Sequence, residues 1–225
     1  MRTKLALAAV ILAAGLASSM AQNVYSLNVV GYINVTCAGS TYTMMANQLN
    51  NGTNGLAQVL PSAPALSEVL KYNAAKSDYD TAVTDGSGAW FTLLGAPSTM
   101  TVAPGEGFFF LNGNSATVTT TLVGEVPQGA LSVNFAANTY TMASAPTPVS
   151  YPLDASSGFP IVPLMTYLVY NPAISDYTTY VSDGTGWFTL LGASVPTPTA
   201  GIGQGFFINN PDPAVHTWNI NFTVQ

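Results

Sequence analysis

Seven consecutive residues, Trp-Phe-Thr-Leu-Leu-Gly-Ala, stand at 90–96 and again at 187–193. They belong to an internal repeat that takes in most of the chain, and the fold must therefore be one unit built twice. At an offset of 98 residues, Thr41-Tyr42-Thr43-Met44 returns as Thr139-Tyr140-Thr141-Met142, and Tyr72-Asn73 as Tyr170-Asn171. Ser77-Asp78-Tyr79 returns as Ser175-Asp176-Tyr177, and Asp85-Gly86 as Asp183-Gly184. Gly105-Glu106-Gly107-Phe108-Phe109 returns as Gly203-Gln204-Gly205-Phe206-Phe207. The heptapeptide is offset by 97, so the second copy lacks one residue beside the turn at 85–88 and regains it before Gly203. Both length changes fall where loops belong.

Each unit reads as short strands. In the first copy they are predicted at 25–35, 42–45, 68–73, 79–83, 90–94, 108–111 and 117–126, rich in Tyr, Phe, Thr and Val. Turn signals such as Asn50-Asn51-Gly52, Asp85-Gly86 and Asn112-Gly113-Asn114 separate them, as in a sandwich or barrel. One helical turn is expected at 56–60, and none at its Ser- and Gly-rich counterpart, 154–158. The predicted fold class is all-β, with two tandem repeats of about 98 residues, each a small β-sandwich or open barrel. The repeats are placed at 22–124 and 125–225, with no linker between them, so two tightly joined lobes are predicted.

Residues 1–21 read as a cleaved signal peptide: Arg2 and Lys4, an apolar run over 5–17, and small residues at Ser19 and Ala21. That run is too short to span a bilayer, which takes about 20 apolar residues. Export places the mature protein in the periplasm, at the cell surface or outside the cell. Loss of Arg2 and Lys4 leaves Lys71 and Lys76 against ten carboxylates, changing the net charge from −6 to −8. Two lysines cannot neutralise the several phosphates that nucleic-acid binding requires, so that class of partner is excluded.

Only 6% of the residues are charged, against about 25% in an average domain, so few positions can do acid–base or metal chemistry. Cys37 is the sole cysteine, which rules out an internal disulfide; in a strand it reads as a small buried hydrophobe. His216 is the sole histidine and reads as a strand residue. No metal site or cofactor is expected, since a structural zinc needs four ligands. Asp78 and Asp85 recur as Asp176 and Asp183, but Asp80 becomes Thr178 and Glu106 becomes Gln204. A hydrolase would need two carboxylates about 5–10 Å apart, and either Asp78 with Asp85 or one of them with Glu106 would have to supply them. Asp before Gly fits a simpler role in a tight turn. Gly105-Glu106-Gly107 leads into a strand, so these glycines read as a bulge or tight bend rather than a phosphate loop.

The aromatic hairpins are the one candidate ligand site. Asp78, Tyr79 and Trp90, with Asp176, Tyr177 and Trp187 in the second copy, put flat rings beside polar groups, which suits a sugar ring. The competing reading is core, because 90–94 is apolar on both strand faces.

The chain also resembles a group of uncharacterised exported bacterial proteins with a β-rich domain of about a hundred residues. The resemblance rests on Val29-Val30-Gly31-Tyr32-Ile33-Asn34, Ala46-Asn47-Gln48-Leu49, Gly105-Glu106-Gly107-Phe108-Phe109 and Gly124-Glu125-Val126-Pro127-Gln128-Gly129. It implies export and a β domain, and brings no activity. The second copy departs from the pattern at Ala145-Pro146-Thr147. The leading expectation is a non-catalytic exported protein, structural or adhesive, with polysaccharide or other envelope proteins as partners and with sheet edges available for self-association. A glycan-binding module using the paired hairpins is the alternative, followed by a carboxylate-dependent hydrolase. An outer-membrane barrel ranks last, because the strands are mostly shorter than the ten-residue alternating segments it needs.

Overall fold

Alternation along each strand sends successive side chains to opposite faces, and in this protein both faces of the main strands are covered. The computed structural model describes residues 29–224. The leader predicted at 1–21 lies outside the described residues, as does the start of the strand predicted at 25–35.

The first half contains β1 (Val30–Cys37), β2 (Tyr42–Ala46), helix α1 (Leu56–Val59), β3 (Glu68–Asn73), β4 (Asp78–Thr84), β5 (Trp90–Thr92), β6 (Gly107–Leu111) and β7 (Val118–Glu125). The second contains β8 (Gly129–Phe135), β9 (Thr139–Ala143), β10 (Tyr151–Pro152), β11 (Pro163–Asn171), β12 (Asp176–Asp183), β13 (Trp187–Thr189), β14 (Ser194–Val195), β15 (Thr199–Ala200), β16 (Phe206–Asn210) and β17 (His216–Phe222). The fold is all-β, and no sheet among the described residues closes into a barrel.

In the first lobe a five-stranded antiparallel sheet, β2-β6-β3-β4-β5, lies against the two-stranded ribbon β1-β7. In the second, the sheet β14-β13-β12-β11-β16-β9 lies against the ribbon β8-β17, with β10-β15 as a small separate pair. Pairings recur at the repeat offset: Met44 sits opposite Phe109, and Met142 opposite Phe207. Each lobe's core fills the space between ribbon and sheet. In the first, Ile33, Cys37 and Leu122 of the ribbon meet Val69, Trp90, Phe108 and Phe110 of the sheet. In the second, Phe135, Trp218 and Ile220 meet Tyr167, Trp187 and Phe206. Burying each such side chain stabilises by roughly 1.5–3 kcal/mol.

Two local expectations change. The strand read at 90–94 stops at Thr92, and Leu93 and Leu94 form the tip of a turn closed by Thr92 N–H donating to Ala96 O at 2.7 Å. The segment 154–158, expected to lack helix, makes one 3₁₀ turn at Ala155–Ser157. Asp154 caps it by accepting from Ser156 N–H at 2.9 Å, so a short polar side chain supplies the partner that propensity alone did not promise.

The other faces of the two large sheets meet. In β6, Phe108 and Phe110 enter the first core, while Phe109 points the opposite way into a third cluster with Met44, Met142 and Phe207. Contacts there come in reciprocal pairs, as at a two-fold interface. Phe109 packs edge-on against Tyr170 at 5.2 Å, and Tyr72 edge-on against Phe207 at 5.3 Å. Ala46 N–H donates to Gly203 O at 3.0 Å, and Ser144 N–H to Gly105 O at 2.9 Å.

Candidate functional site

The structure does not bring the six residues singled out in the sequence together on one exposed face. Trp90 and Trp187, at 4% and 1% exposure, are core residues of their lobes. Trp187 Nε1 donates to Leu153 O at 2.7 Å, deep in the second core. The hairpins' flat indole faces are thus unavailable to a ligand, because β5 and β13 turn their tryptophans inward and leave Phe91 and Phe188 half-buried. Tyr79 and Tyr177 join the junction between the lobes, where their phenol groups interact with each other. Burial pushes both phenols above their ordinary value. Asp78 and Asp176 are exposed at the starts of β4 and β12, and each accepts from the next residue's N–H, Tyr79 at 2.8 Å and Tyr177 at 2.7 Å.

The carboxylates serve turns and ion pairs. Asp85 accepts from the Ser87 hydroxyl at 2.6 Å and from Ser87 N–H at 2.8 Å, and the hydroxyl bond leads in holding its carboxyl below the usual range. Asp183 is held low in the same way, first by Thr185 N–H at 2.8 Å. Asp80 is lowered by its bond from Lys76 and then by Asn73. Asp78 opens β4 and Asp85 follows its last residue, seven residues on; at a rise of about 3.3 Å per residue that is roughly 23 Å. This spacing is far beyond that of a hydrolase pair, so Asp78 and Asp85 do not meet the condition a hydrolase would need of them. Glu106 is held by Lys71 Nζ at 2.7 Å and by Ala103 N–H at 2.8 Å. Asp212 pairs with His216 at 3.2 Å. Cys37 is fully buried, and burial pushes its thiol up, away from the reactive thiolate form.

The structure also shows features that sequence reasoning missed. The glycines read as a bulge or tight bend are also points of close approach between the lobes. A Cβ on Gly107 would stand 2.7 Å from Ala143 O, and one on Gly205 would stand 2.6 Å from Met45 O. The available signal was the Gly-Phe-Phe run itself, whose adjacent rings must face opposite ways and so require cover on both sides. Beside this junction opens a cleft of about 360 Å³ lined by Lys71, Tyr72, Glu106, Asn134 and Tyr140 among others. The Lys71–Glu106 ion pair there has no counterpart at the repeat-related positions, which hold Val169 and Gln204. Gln204 keeps only the turn bond, accepting from Gly201 N–H at 2.9 Å.

Also missed were the leucines of the heptapeptide. Leu94 and Leu191 are 96% and 97% exposed, and Leu93 and Leu190 are exposed beside them. The turns that carry them need Gly95 and Gly192, both at φ 82°, and nothing in the turn bonding needs leucine.

Among the described residues there is no group of three or more His, Cys, Asp or Glu placed to hold a metal ion, and no helix long and apolar enough to cross a membrane. No family model, curated protein or solved structure matches the chain.

Proposed function

We propose that this is an exported, internally duplicated, non-catalytic protein of the cell envelope or extracellular space, whose two sandwich lobes form one structural or adhesive body. The resemblance to exported bacterial proteins is part of the same reading.

The observation that carries it is the twinned display of leucine. The tips at Leu93-Leu94 and Leu190-Leu191 hold apolar side chains in solvent in both copies. Leu66 and Leu164, also related by the repeat, are exposed and sit at φ 63° and 62°. That left-handed conformation costs a residue with a bulky side chain about 1–3 kcal/mol. Leucine is thus kept in both lobes at positions where the local fold favours glycine or a polar residue. Apolar branched side chains fit the surface of another protein better than the hydroxyl-covered faces of a sugar, so the partner is an envelope protein. The engagement of the carboxylates in turns and ion pairs supports the non-catalytic part of the reading.

The test is sedimentation of the purified protein with isolated cell envelopes, beside a Leu94→Asp/Leu191→Asp variant. Both leucines are almost wholly exposed, so the variant should keep its stability within about 0.5 kcal/mol. Binding is expected to weaken at least tenfold in the variant and to vanish when the envelopes are first treated with protease. Undiminished binding by the variant, or turnover of any polysaccharide by the protein, would sink the proposal.

A further inference from the structure

The two lobes fill the same interior position differently. In the second, Trp218 points inward from β17, opposite Val133, and is fully buried. Its ring meets Phe159 edge-on at 5.3 Å and Tyr151 at 5.8 Å, and its Nε1 donates to Ser157 O at 2.9 Å. Phe159 in turn packs on Phe135 at 5.4 Å. The chain carrying Ser157 and Phe159 also crosses the edge of β17, close enough that a Cβ on Gly158 would stand 2.4 Å from Asn219 O.

In the first lobe, Thr120 occupies the position of Trp218, in the same register, opposite Val35. Cys37 occupies that of Phe135, and Pro61 that of Phe159. Three aromatic rings are therefore missing. Helix α1 makes up part of the loss with Leu56 and Val59, and Leu60 follows it into the core. What remains is a cleft of about 300 Å³ between the turn at 60–64 and residues 118–121 of β7.

The cleft's rim is polar in a specific way. Alternate residues of an antiparallel strand direct their main-chain groups to opposite sides. On the side of β7 away from β1, Glu125 N–H donates to Asn50 O at 2.7 Å, and Val123 O accepts from Asn51 Nδ2 at 3.3 Å. Thr119 and Thr121, on that same side, meet no further strand among the described residues. The walls from Leu60, Pro61 and Ala63 are apolar. The cleft, near 300 Å³, sets these apolar walls against a polar side made by Ser62, Thr119, Thr120 and Thr121, and its volume is that of a small-molecule site.

We propose that this cleft binds a free planar aromatic molecule of about indole size, carrying one N–H donor, seated where the second lobe carries its own Trp218 ring. The second lobe supplies the template: the same fold at the same register closes over an indole and satisfies its N–H with a main-chain carbonyl.

The probe is indole, titrated into the purified protein by calorimetry, with Thr120→Trp and Thr120→Val as variants and a short extended peptide containing one tryptophan as a second ligand. Saturable one-to-one binding of indole is expected, unchanged within about threefold in Thr120→Val and weakened at least tenfold in Thr120→Trp, whose own ring fills the cleft. Should Thr120→Trp fail to fold, amide shifts in the unsubstituted protein decide: indole must move Ser62, Ala63 and 118–121 and leave the second lobe's 155–159 still. No saturable binding overturns the proposal, as does full binding by a folded Thr120→Trp or shifts centred elsewhere. Binding of the tryptophan peptide without binding of free indole overturns it in favour of a peptide site.

Discussion

Replacing Phe109 by alanine is expected to loosen both lobes, although Phe109 belongs to neither lobe's own core. The ring is buried at the junction and meets four tyrosines, Tyr42 at 6.1 Å, Tyr79 at 6.0 Å, Tyr170 at 5.2 Å and Tyr177 at 6.4 Å, two from each half of the chain. Truncating a buried phenylalanine to alanine costs about 3–5 kcal/mol, the loss of transfer free energy together with the cavity left behind. For a protein of this size each kcal/mol moves Tm by about 2–4 °C, so the variant should melt roughly 6–20 °C lower. Scanning calorimetry also tests the architecture. The parent should melt in one transition, because the two sheets share this layer, and Phe109→Ala should broaden or split it as the lobes uncouple. Phe207→Ala should behave alike, and the double variant should cost less than the two single losses together, because residues sharing partners are not additive. A shift under about 3 °C with one unchanged transition would refute the reasoning, since the rings would then contribute no coupling between the lobes.

Two further outcomes follow from the same junction. Gly205→Ala places a Cβ against Met45 O, and overpacking of this kind costs about 1–3 kcal/mol; calorimetry should show Tm falling by several degrees, while alanine at Gly192, where nothing lies within 4 Å, should cost only the strain of its positive φ. Alkaline pH should weaken the junction. Tyr42, Tyr79 and Tyr177 have phenols raised by burial, so their contribution is whole below the unfolded value of about 10 and drains away as pH rises past it. A Tyr79→Phe/Tyr177→Phe variant, followed by near-ultraviolet circular dichroism, should lose less stability between pH 9 and 11 than the parent does.

Much of the architecture could be read from the chain. The strand at 68–73 is found at its predicted bounds, and those at 42–45, 79–83, 108–111 and 117–126 lie within one residue of theirs at each end. Their Tyr, Thr and Val content, and the Asn-Gly and Asp-Gly turns between them, are local properties that act over a few residues. The turn roles of Asp85 and Asp183 were legible for the same reason, since each bonds within three residues of itself. The candidate site was not legible in this way. Trp90 and Leu94 stand four residues apart in one apolar run, and no pattern within that run tells which is buried, because the strand ends between them.

A β-rich chain of two like halves, poor in reactive groups, is readable from residues alone, because periodicity, turn chemistry and composition are local or additive properties. Long-range packing selects which face each apolar residue meets. It set Phe109 and Phe207 between the lobes, Trp90 and Trp187 inside them and the heptapeptide's leucines in solvent, because burial depends on the surface that a distant segment brings to each face.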